Sequence, residues 1–290
     1  MSIAAEKKLV IFILIPVVVS VIFFLIFNSD KTGSFEIDYL DVGQGDSILI
    51  KTDAGQNILL DGGPDSRVMK RLGENLPWWD RTIDLMILTH PHSDHVGGLI
   101  HVLDRYAVKR ILYTGVVHDA PEYIEWLEII KEKNIPLKII DHPQKINLGE
   151  KSYLEIIYPF ESLVGTVPEN LNNSSIVAKL NCGENKFLLA GDIEEDIEEK
   201  LLKADIDLSA HVFKANHHGS DVSNTEDFLN AVNPEIIVIP VGADNKFGHP
   251  NGRIMKRFEN LQAEIYRTDM DGTIKMSSDG EELKIKNRGE

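Results

Sequence analysis

The sequence predicts an α/β domain built from two sheets covered by helices, with one membrane-spanning segment before it. Three observations lead to this fold class. Short runs rich in Ile, Leu, Val and Phe alternate with helical stretches after residue 35. One of these runs, residues 83–89, is apolar except at Asp84 and Thr89, close to the pattern of strands buried on both faces. A long apolar stretch at residues 9–27 has the length and composition of a membrane span.

The individual elements follow from local patterns of apolar residues and turn-forming residues. The first part of the domain alternates strands with helices: strands at 35–42, 47–52, 57–61, 83–89, 110–113 and 137–140, and helices after Pro64, at 96–106 and at 122–133. The middle gives strands at 153–158, 175–180 and 186–190, then a charged surface helix at 194–203. The last part gives strands at 210–215, 236–240 and 265–267, helices at 226–231 and 253–261, and a hairpin of 273–276 with 283–286.

The apolar stretch at residues 9–27 is interrupted at only two positions. As a helix rising about 1.5 Å per residue it would nearly cross a hydrocarbon core of about 30 Å. Lys7 and Lys8 precede it, so the positive-inside rule keeps the N-terminus cytoplasmic and sends the rest across. A cleaved signal peptide is the alternative, but its apolar region would be shorter and would end in small residues. We therefore predict a single-pass anchor in residues 1–30 and an extracytoplasmic domain in residues 31–290.

Composition limits the chemistry. The chain has 30 basic and 46 acidic side chains, a net charge of -16, which excludes a basic protein that coats nucleic acid. Hydrophobic residues make up 43% and charged residues 26%, as in globular proteins with a buried core. Cys182 is the only cysteine, so neither an internal disulfide nor a cysteine zinc cage can form. Any metal must be held by histidines and carboxylates.

One hexapeptide carries most of the functional signal. The strand at 83–89 continues into His90-Pro91-His92-Ser93-Asp94-His95, which places three imidazoles and a carboxylate at a strand end, where α/β proteins have their sites. Because Pro91 disfavours helix at the preceding residue, we expect His90, His92 and Asp94 to begin in an extended loop. His95 would leave on another side, so one loop could serve two metals. A solvated polar loop with a capping residue is the alternative, which the density of histidines disfavours.

Two further groups follow other strands. Asp192 comes directly after the strand at 186–190, and His217 and His218 follow the strand at 210–215. Each is a weak signal alone, since Asp192 could equally be a helix N-cap. Together they add imidazole ligands and a carboxylate that can bridge two metal ions.

This pattern of His-x-His-x-Asp-His, then Gly-Asp, then a downstream His resembles the metallo-β-lactamase superfamily over residues 35–276. The resemblance implies a four-layer αβ/βα sandwich. Further motifs resemble the extracellular domain of ComEC-type competence proteins, a domain associated with nuclease activity on DNA. These motifs are the segments 41–47, 60–63, 172–175, 217–220 and 248–250.

The resemblance implies two divalent ions, zinc or manganese. The first would be held by His90, His92 and Asp192, and the second by Asp94, His95, Asp192 and His217, with Asp192 as the bridge. Asp61 would support the ligand loop from behind, or would be an ordinary turn residue.

Many members of the superfamily supply a third histidine to the first metal, where this chain has residues 172–175. Those residues could ligate a metal, bind substrate or close a loop. We expect the remaining candidates, His101, His118 and His142, to be surface or packing residues.

Residue type and motif position suggest further roles around the reacting water. Asp94 counts as catalytic as well as a ligand, and His218 or His249 would protonate the leaving oxygen. Substrate contacts would come from Ser174, Ser175, Ser220 and Lys214. The alternatives are a helix cap for Ser220, a turn residue for His249 and a solvated charge for Lys214.

The expected function is a membrane-anchored extracytoplasmic metallohydrolase that acts on phosphodiesters, DNA among them, through a metal-bridged hydroxide. One alternative is hydrolysis of another ester or amide, such as a cell-wall phosphorylcholine ester, a lactone or a β-lactam. Another is a metal-binding envelope protein without catalysis. No protein partner is evident from the sequence.

Overall fold

The computed structural model describes residues 35–286, together with positions 12, 15, 17, 18 and 20. The predicted membrane anchor at residues 9–27 lies outside the described residues, apart from those five positions. Among the helices that are described, none has the length and apolar character needed to span a bilayer.

Strands and helices alternate along the described chain. The strands are β1 (Phe35–Tyr39), β2 (Ile48–Lys51), β3 (Asn57–Leu60), β4 (Thr82–Ile83), β5 (Leu85–Ile87), β6 (Ala107–Val108), β7 (Ile111–Tyr113), β8 (Leu137–Ile139), β9 (Gln144–Asn147), β10 (Ser152–Tyr158), β11 (Val177–Cys182), β12 (Asn185–Leu189), β13 (Val212–Lys214), β14 (Ile236–Ile239), β15 (Glu264–Arg267), β16 (Ile274–Ser278) and β17 (Leu283–Lys286). The helices are α1 (Arg67–Asn75), α2 (Ser93–Arg105), α3 (Pro121–Glu132), α4 (Glu195–Lys203), α5 (Glu226–Val232), α6 (Gly252–Asn260) and α7 (Thr268–Asp271). Short 3₁₀ turns occur at Asn172–Ser174 and Asn216–Gly219.

Two large mixed sheets form the framework. The first has the strand order β17-β16-β1-β2-β3-β5-β7-β8, and the second has the order β15-β14-β13-β12-β11-β10-β9. Strands β3, β5, β7 and β8 run parallel in the first sheet, as do β12 to β15 in the second. Parallel strands bring their carboxyl ends to one edge, where α/β proteins collect functional residues.

The core lies in three layers, which confirms the predicted α/β class. Alternate residues of β3 and β5 point to opposite sides: Ile58 and Ile87 pack between the two sheets, whereas Leu59 and Met86 pack against helices α1 to α3. A third cluster, around Phe213, packs the second sheet against α4, α5 and α6. The continuous apolar runs seen in the sequence are therefore strands buried on both faces.

Two sequence predictions need correction. Asp94 is not in an extended loop, because α2 begins at Ser93 and Asp94 and His95 lie in its first turn. Pro91 restricts only His90, so the chain can turn helical immediately after the extended His92. Helix α4, predicted as a charged surface helix, buries its inner side, including Glu198, against the second sheet.

Glycines bring α2 against the turn that follows β3. The amide of Gly62 donates to the carbonyl of His95 at 2.8 Å, and the amide of Gly98 donates to the carbonyl of Gly63 at 2.8 Å. A Cβ on Gly98 would lie 1.8 Å from the carbonyl oxygen of Gly62. Only glycine permits this backbone approach, which fixes the histidine-bearing helix relative to Asp61.

We predict that Gly98→Ala lowers the free energy of unfolding by about 1–3 kcal/mol, the range for overpacking, because the methyl group meets backbone that cannot move aside. The matched control is Gly73→Ala in α1, where an added Cβ meets nothing within 4 Å. That change should stabilise the protein by about 0.5–1 kcal/mol through helix propensity. Urea unfolding of both variants checks the pair, and equal stabilities would contradict the packing argument.

Candidate metal centre

Histidines and carboxylates from both sheets meet at the carboxyl edge. One ligand atom each from Asp94, His95, Asp192 and His218 forms a group whose members all lie within 4.8 Å of one another. His95, Asp192 and His218 are buried, and Asp94 is half-buried. Two nitrogen and two carboxylate donors at this spacing match what zinc or manganese requires.

Asp61 fixes His95 from behind. The Nδ1 of His95 donates to Oδ2 of Asp61 at 2.7 Å, which leaves Nε2 of the ring 3.2 Å from Oδ2 of Asp192. Asp61 also accepts hydrogen bonds from the amide and hydroxyl of Thr89, at 2.8 and 2.6 Å. A carboxylate on the far nitrogen of a histidine is the usual way of orienting a ligating imidazole.

His218, and not His217, turns into the cluster. Its Nδ1 donates to the carbonyl of Pro240 at 2.8 Å, and its Nε2 lies 3.2 Å from Oδ2 of Asp192 and 3.5 Å from Oδ2 of Asp94. His217 is half-buried beside the cluster, with Nδ1 3.6 Å from Oε1 of Glu194.

This geometry reverses the roles assigned from sequence, in which His217 was the ligand and His218 the proton donor. Both residues have left-handed backbone, with φ of 48° for His217 and 55° for His218. The direction of each imidazole depends on that unusual turn, which two adjacent histidines in a sequence do not reveal.

A second pair of histidines stands next to the cluster. Nε2 of His90 lies 3.0 Å from Nδ1 of His92, and the His90 and His95 rings are 4.1 Å apart between centroids. His118, expected to be a surface or packing residue, lies with its ring 6.5 Å from that of His92. It arrives on the loop between β7 and α3, and no local motif in the sequence marks it. His101 and His142 are exposed and take no part in the cluster.

Opposite charges stabilise one another inside this site. Burial lowers the pKa of His218, but the carboxylates of Asp192 and Asp94 outweigh burial and raise it to about 10. Burial likewise opposes protonation of His95, yet Asp192 and Asp61 raise its pKa well above the usual value. The pKa of His90 is lowered instead, first by burial and then by the charge of His95. The buried carboxylates therefore favour positive charge at His95 and His218, which is the electrostatic environment that a divalent cation requires.

Lys214 is part of this balance and does not contact solvent. Its Nζ lies 2.6 Å from Oδ2 of Asp46 and 3.2 Å from Oδ1 of Asp192, and the side chain is 1% exposed. It also donates to the carbonyl of Gly191 at 2.6 Å. The predicted contact between Lys214 and a substrate phosphate is therefore wrong, because the ammonium group is buried between two aspartates and orients the bridging candidate Asp192.

The serines predicted to bind substrate also face inward. The hydroxyl of Ser175 accepts from the amide of Asp192 at 3.1 Å, and that of Ser174 donates to the carbonyl of Leu171 at 2.7 Å. Ser174, Ser175 and Ser220 are all buried. Ser174 and Ser175 therefore hold the loop that replaces the usual third histidine, and their contact with a substrate stays a prediction.

His249 lies at the rim of the site. Its ring is 5.5 Å from that of His217 and stacks at 5.8 Å on Phe247, which is 70% exposed. Burial, then the charges of His218 and His217, lowers the pKa of His249 to about 4. Together His217 and His249 form a half-buried imidazole pair beside the buried cluster.

Glu198 is a positioning residue that sequence reasoning missed. It is 0% exposed, and its Oε1 accepts from the Asn216 side chain at 2.7 Å and from the amide of Asn224 at 2.6 Å. Its Oε2 accepts from the amide of Thr225 at 2.8 Å. The carboxylate thus ties down both ends of the loop that carries the two left-handed histidines. The sequence gives no sign of this role, because Glu198 lies in a helix rich in acidic residues that are mostly exposed.

We predict that His218→Gln removes most of the bound metal, whereas His217→Gln retains it, because only His218 reaches the cluster. Metal content after dialysis against a weak chelator, measured by inductively coupled plasma mass spectrometry, checks this. Loss of metal in both variants, or in His217→Gln alone, would contradict the assignment.

Glu198→Gln should lower the free energy of unfolding by about 1–3 kcal/mol, because an amide cannot accept from all three donors and leaves a buried group unpaired. Metal affinity should fall by about 10-fold or more as the histidine loop loosens. Glu199→Gln is the control on the same helix, since Glu199 is exposed and should change stability by less than about 0.5 kcal/mol. Denaturant unfolding and chelator competition measure both variants, and indistinguishable results would exclude a positioning role.

Comparison with known proteins agrees with this geometry. The sequence profile of the metallo-beta-lactamase superfamily matches residues 40–242. ComE operon protein 3 of Bacillus subtilis is 25% identical over 88% of this chain and 34% of its own length, and competence protein ComA of Neisseria gonorrhoeae is 29% identical over 81% and 31%. Both are ComEC-type competence proteins, and the chain spans about a third of their length.

The diiron β-hydroxylase CmlA of Streptomyces venezuelae superposes with a TM-score of 0.52 at 13% identity, covering 84% of this chain and 54% of CmlA. At that identity the likeness concerns the fold alone. With the profile covering both strand-end clusters, the chain belongs to the metallo-β-lactamase superfamily, and its relatives include ComEC-type competence proteins.

Proposed function

We propose that this protein is a metal-dependent phosphodiesterase of the nuclease class, attached to a membrane through residues 9–27 with its hydrolase domain on the extracytoplasmic side. The observation that carries the proposal is the convergence of Asp94, His95, Asp192 and His218 at the carboxyl edge of both sheets. The resemblance of several segments to the extracellular domain of ComEC-type competence proteins, which is associated with nuclease activity, supports a phosphodiester, and DNA in particular, as the substrate.

The residues offer places for two divalent ions, zinc or manganese. Asp94, His95 and His218 would hold one ion and the pair His90 and His92 the other, with Asp192 shared between them. Two such ions, when bound, supply an acidified water as nucleophile and neutralise the oxygens of a phosphodiester. The protein does not need a serine or cysteine nucleophile for this chemistry.

The chain's own side chains set the rest of the reaction. Lys214 holds Oδ1 of Asp192, so that Oδ2 faces the imidazoles of His95 and His218. His217 and His249 lie beside the cluster, and because the pKa of each is lowered, their neutral imidazoles are suited to accept or relay a proton during the reaction. Lys214 is buried between Asp46 and Asp192 and is not available to a substrate phosphate, so the metals would supply charge neutralisation at the centre of the site.

The net charge of -16 limits how nucleic acid could bind. Contacts to phosphates supply most non-specific affinity, and an acidic surface repels a long strand. We therefore propose that the enzyme holds only the few nucleotides next to the scissile phosphate. A smaller phosphate ester also needs no extended contact with the acidic surface, so the assay includes one.

We predict that the full chain in detergent, loaded with Mn²⁺ or Zn²⁺, hydrolyses bis-nitrophenyl phosphate and single- or double-stranded DNA. Asp192→Asn should reduce the rate by about 10²-fold or more, because both imidazole clusters lose their shared carboxylate. Asp196→Asn is the control, a neighbouring exposed aspartate of α4 that should leave the rate unchanged.

A phosphorylcholine ester, a lactone and a β-lactam are tested beside the phosphodiesters. Hydrolysis of one of these substrates alone would move the proposal to that ester or amide. Verified metal loading with no hydrolysis of any substrate would favour a metal-binding envelope protein.

A further inference from the structure

Two tryptophans stand exposed at the end of the sandwich opposite the metal centre. Trp78 is 80% exposed and Trp79 is 54% exposed, with their rings 5.5 Å apart. They lie in the turn that links α1 to β4, and the next residue, Asp80, accepts from the side chain of Asn57 at 2.8 Å. Asn57 is the first residue of β3, so this turn is held at the amino end of that strand.

A cleft with a basic rim opens beside the same residue. The amide of Asn57 donates to Asp84 at 2.9 Å, and Asp84 lines a cleft of about 510 Å³ between the two sheets. The floor of the cleft is apolar, with Ile58 and Leu112 among its residues. Four cationic side chains also line it: Lys109, Arg110, Lys138 and Lys145.

Half of that positive charge is not neutralised. Lys109 pairs with Asp84 at 2.7 Å, and Lys145 pairs with Glu155 at 3.5 Å. Lys138 bonds only the neutral side chain of Gln144, and within residues 35–286 the Arg110 guanidinium has no carboxylate partner. In a chain of net charge -16, two unneutralised cations beside two exposed tryptophans form an unusual surface.

The chain enters the domain at this same end. Strand β1 begins at Phe35, and the next residue, Glu36, is opposite Lys51 of β2, which is opposite Asn57 of β3. Adjacent strands are about 4.8 Å apart, so the chain emerges about 10 Å from the residue that holds the tryptophan turn and the cleft. Residues 28–34 separate Phe35 from the apolar stretch at 9–27 and can span at most about 25 Å.

We propose that this end of the sandwich, the tryptophan turn and the basic rim together, docks on a bilayer containing anionic phospholipid. Tryptophan favours the interface between headgroups and acyl chains, and lysine and arginine attract anionic headgroups. The inference rests on the proposed anchoring through residues 9–27 and is independent of the proposed hydrolase activity. It places the metal centre on the side of the domain that faces away from the membrane.

The chain carries its own probe for this surface. Of its three tryptophans, Trp126 is 0% exposed inside the helix layer, which leaves Trp78 and Trp79 as the ones that a lipid can reach. The experiment reconstitutes the full chain in vesicles of phosphatidylcholine with or without phosphatidylglycerol, the acyl chains being brominated. Flotation of the vesicles reports anchoring, and bromine quenching of tryptophan fluorescence reports docking.

We expect quenching of about half of the exposed-tryptophan signal in anionic vesicles and much less in zwitterionic ones. High salt should weaken it, because surface attraction is screened. The triple variant Lys109→Gln, Arg110→Gln, Lys138→Gln should lose most of the quenching while still floating with the vesicles. The matched control, Lys200→Gln, Lys203→Gln, Lys256→Gln, removes three exposed cations from the helices over the second sheet and should quench as the parent does. Trp78→Phe with Trp79→Phe gives the background from Trp126.

Flotation without quenching in anionic vesicles would overturn the docking proposal while leaving the anchor intact. If the protein does not float with the vesicles, both the anchoring and the docking proposals are overturned. The proposed hydrolase activity would not be affected, because its assay does not depend on membrane binding. Equal quenching in both lipids, or in the triple variant, would show that the basic rim plays no part. Competition by DNA that abolishes quenching would identify the rim as a nucleic-acid surface instead.

Discussion

Burial of charge is the constraint on which the centre of this structure depends. Asp46, Asp61 and Asp192 are shielded from water where the two sheets meet, and a buried carboxylate without a partner is strongly destabilising. Lys214 forms ion pairs with Asp46 and Asp192, and His95 forms ion pairs with Asp61 and Asp192. These partners come from both sheets. The buried charges are therefore neutralised only when the two sheets pack against each other. The same balance leaves imidazoles and carboxylates converging on one region, where a divalent ion can take over the role of the protons.

Backbone strain at the site is offset by the surrounding packing. Asp61, His217 and His218 all have positive φ, which non-glycine residues rarely adopt. Such conformations persist only when neighbouring contacts over-determine them. Glu198 provides these contacts for the histidine turn, and the hydrogen bonds from Thr89 provide them for Asp61.

The fold and the location of the site follow from the sequence to a large extent, because strand periodicity and residues at strand ends are local signals. Apolar alternation identified both sheets, and the histidine motif marked the carboxyl edge. The direction of a side chain was harder to predict from the sequence. The sequence analysis assigned the ligand role to His217, but the left-handed turn directs His218 into the cluster instead. Lys214 lies near the end of a predicted strand, where a lysine could contact a ligand, but its burial depends on Asp46 from the opposite sheet. His118 reaches the site only through tertiary packing of a distant loop.

The parallel strands of this fold give the domain two chemically different ends. The buried acids and imidazoles lie at the carboxyl ends of the parallel strands. The tryptophan turn, the basic rim and the start of β1 lie at their amino ends. An acidic protein near an anionic bilayer is repelled over most of its surface. Under the docking proposal, the orientation therefore comes from local attraction at the basic rim and from the tryptophan turn, and not from the net charge. In that orientation a short linker between anchor and domain leaves the metal centre away from the membrane, since the centre and the start of β1 lie at opposite ends of the strands.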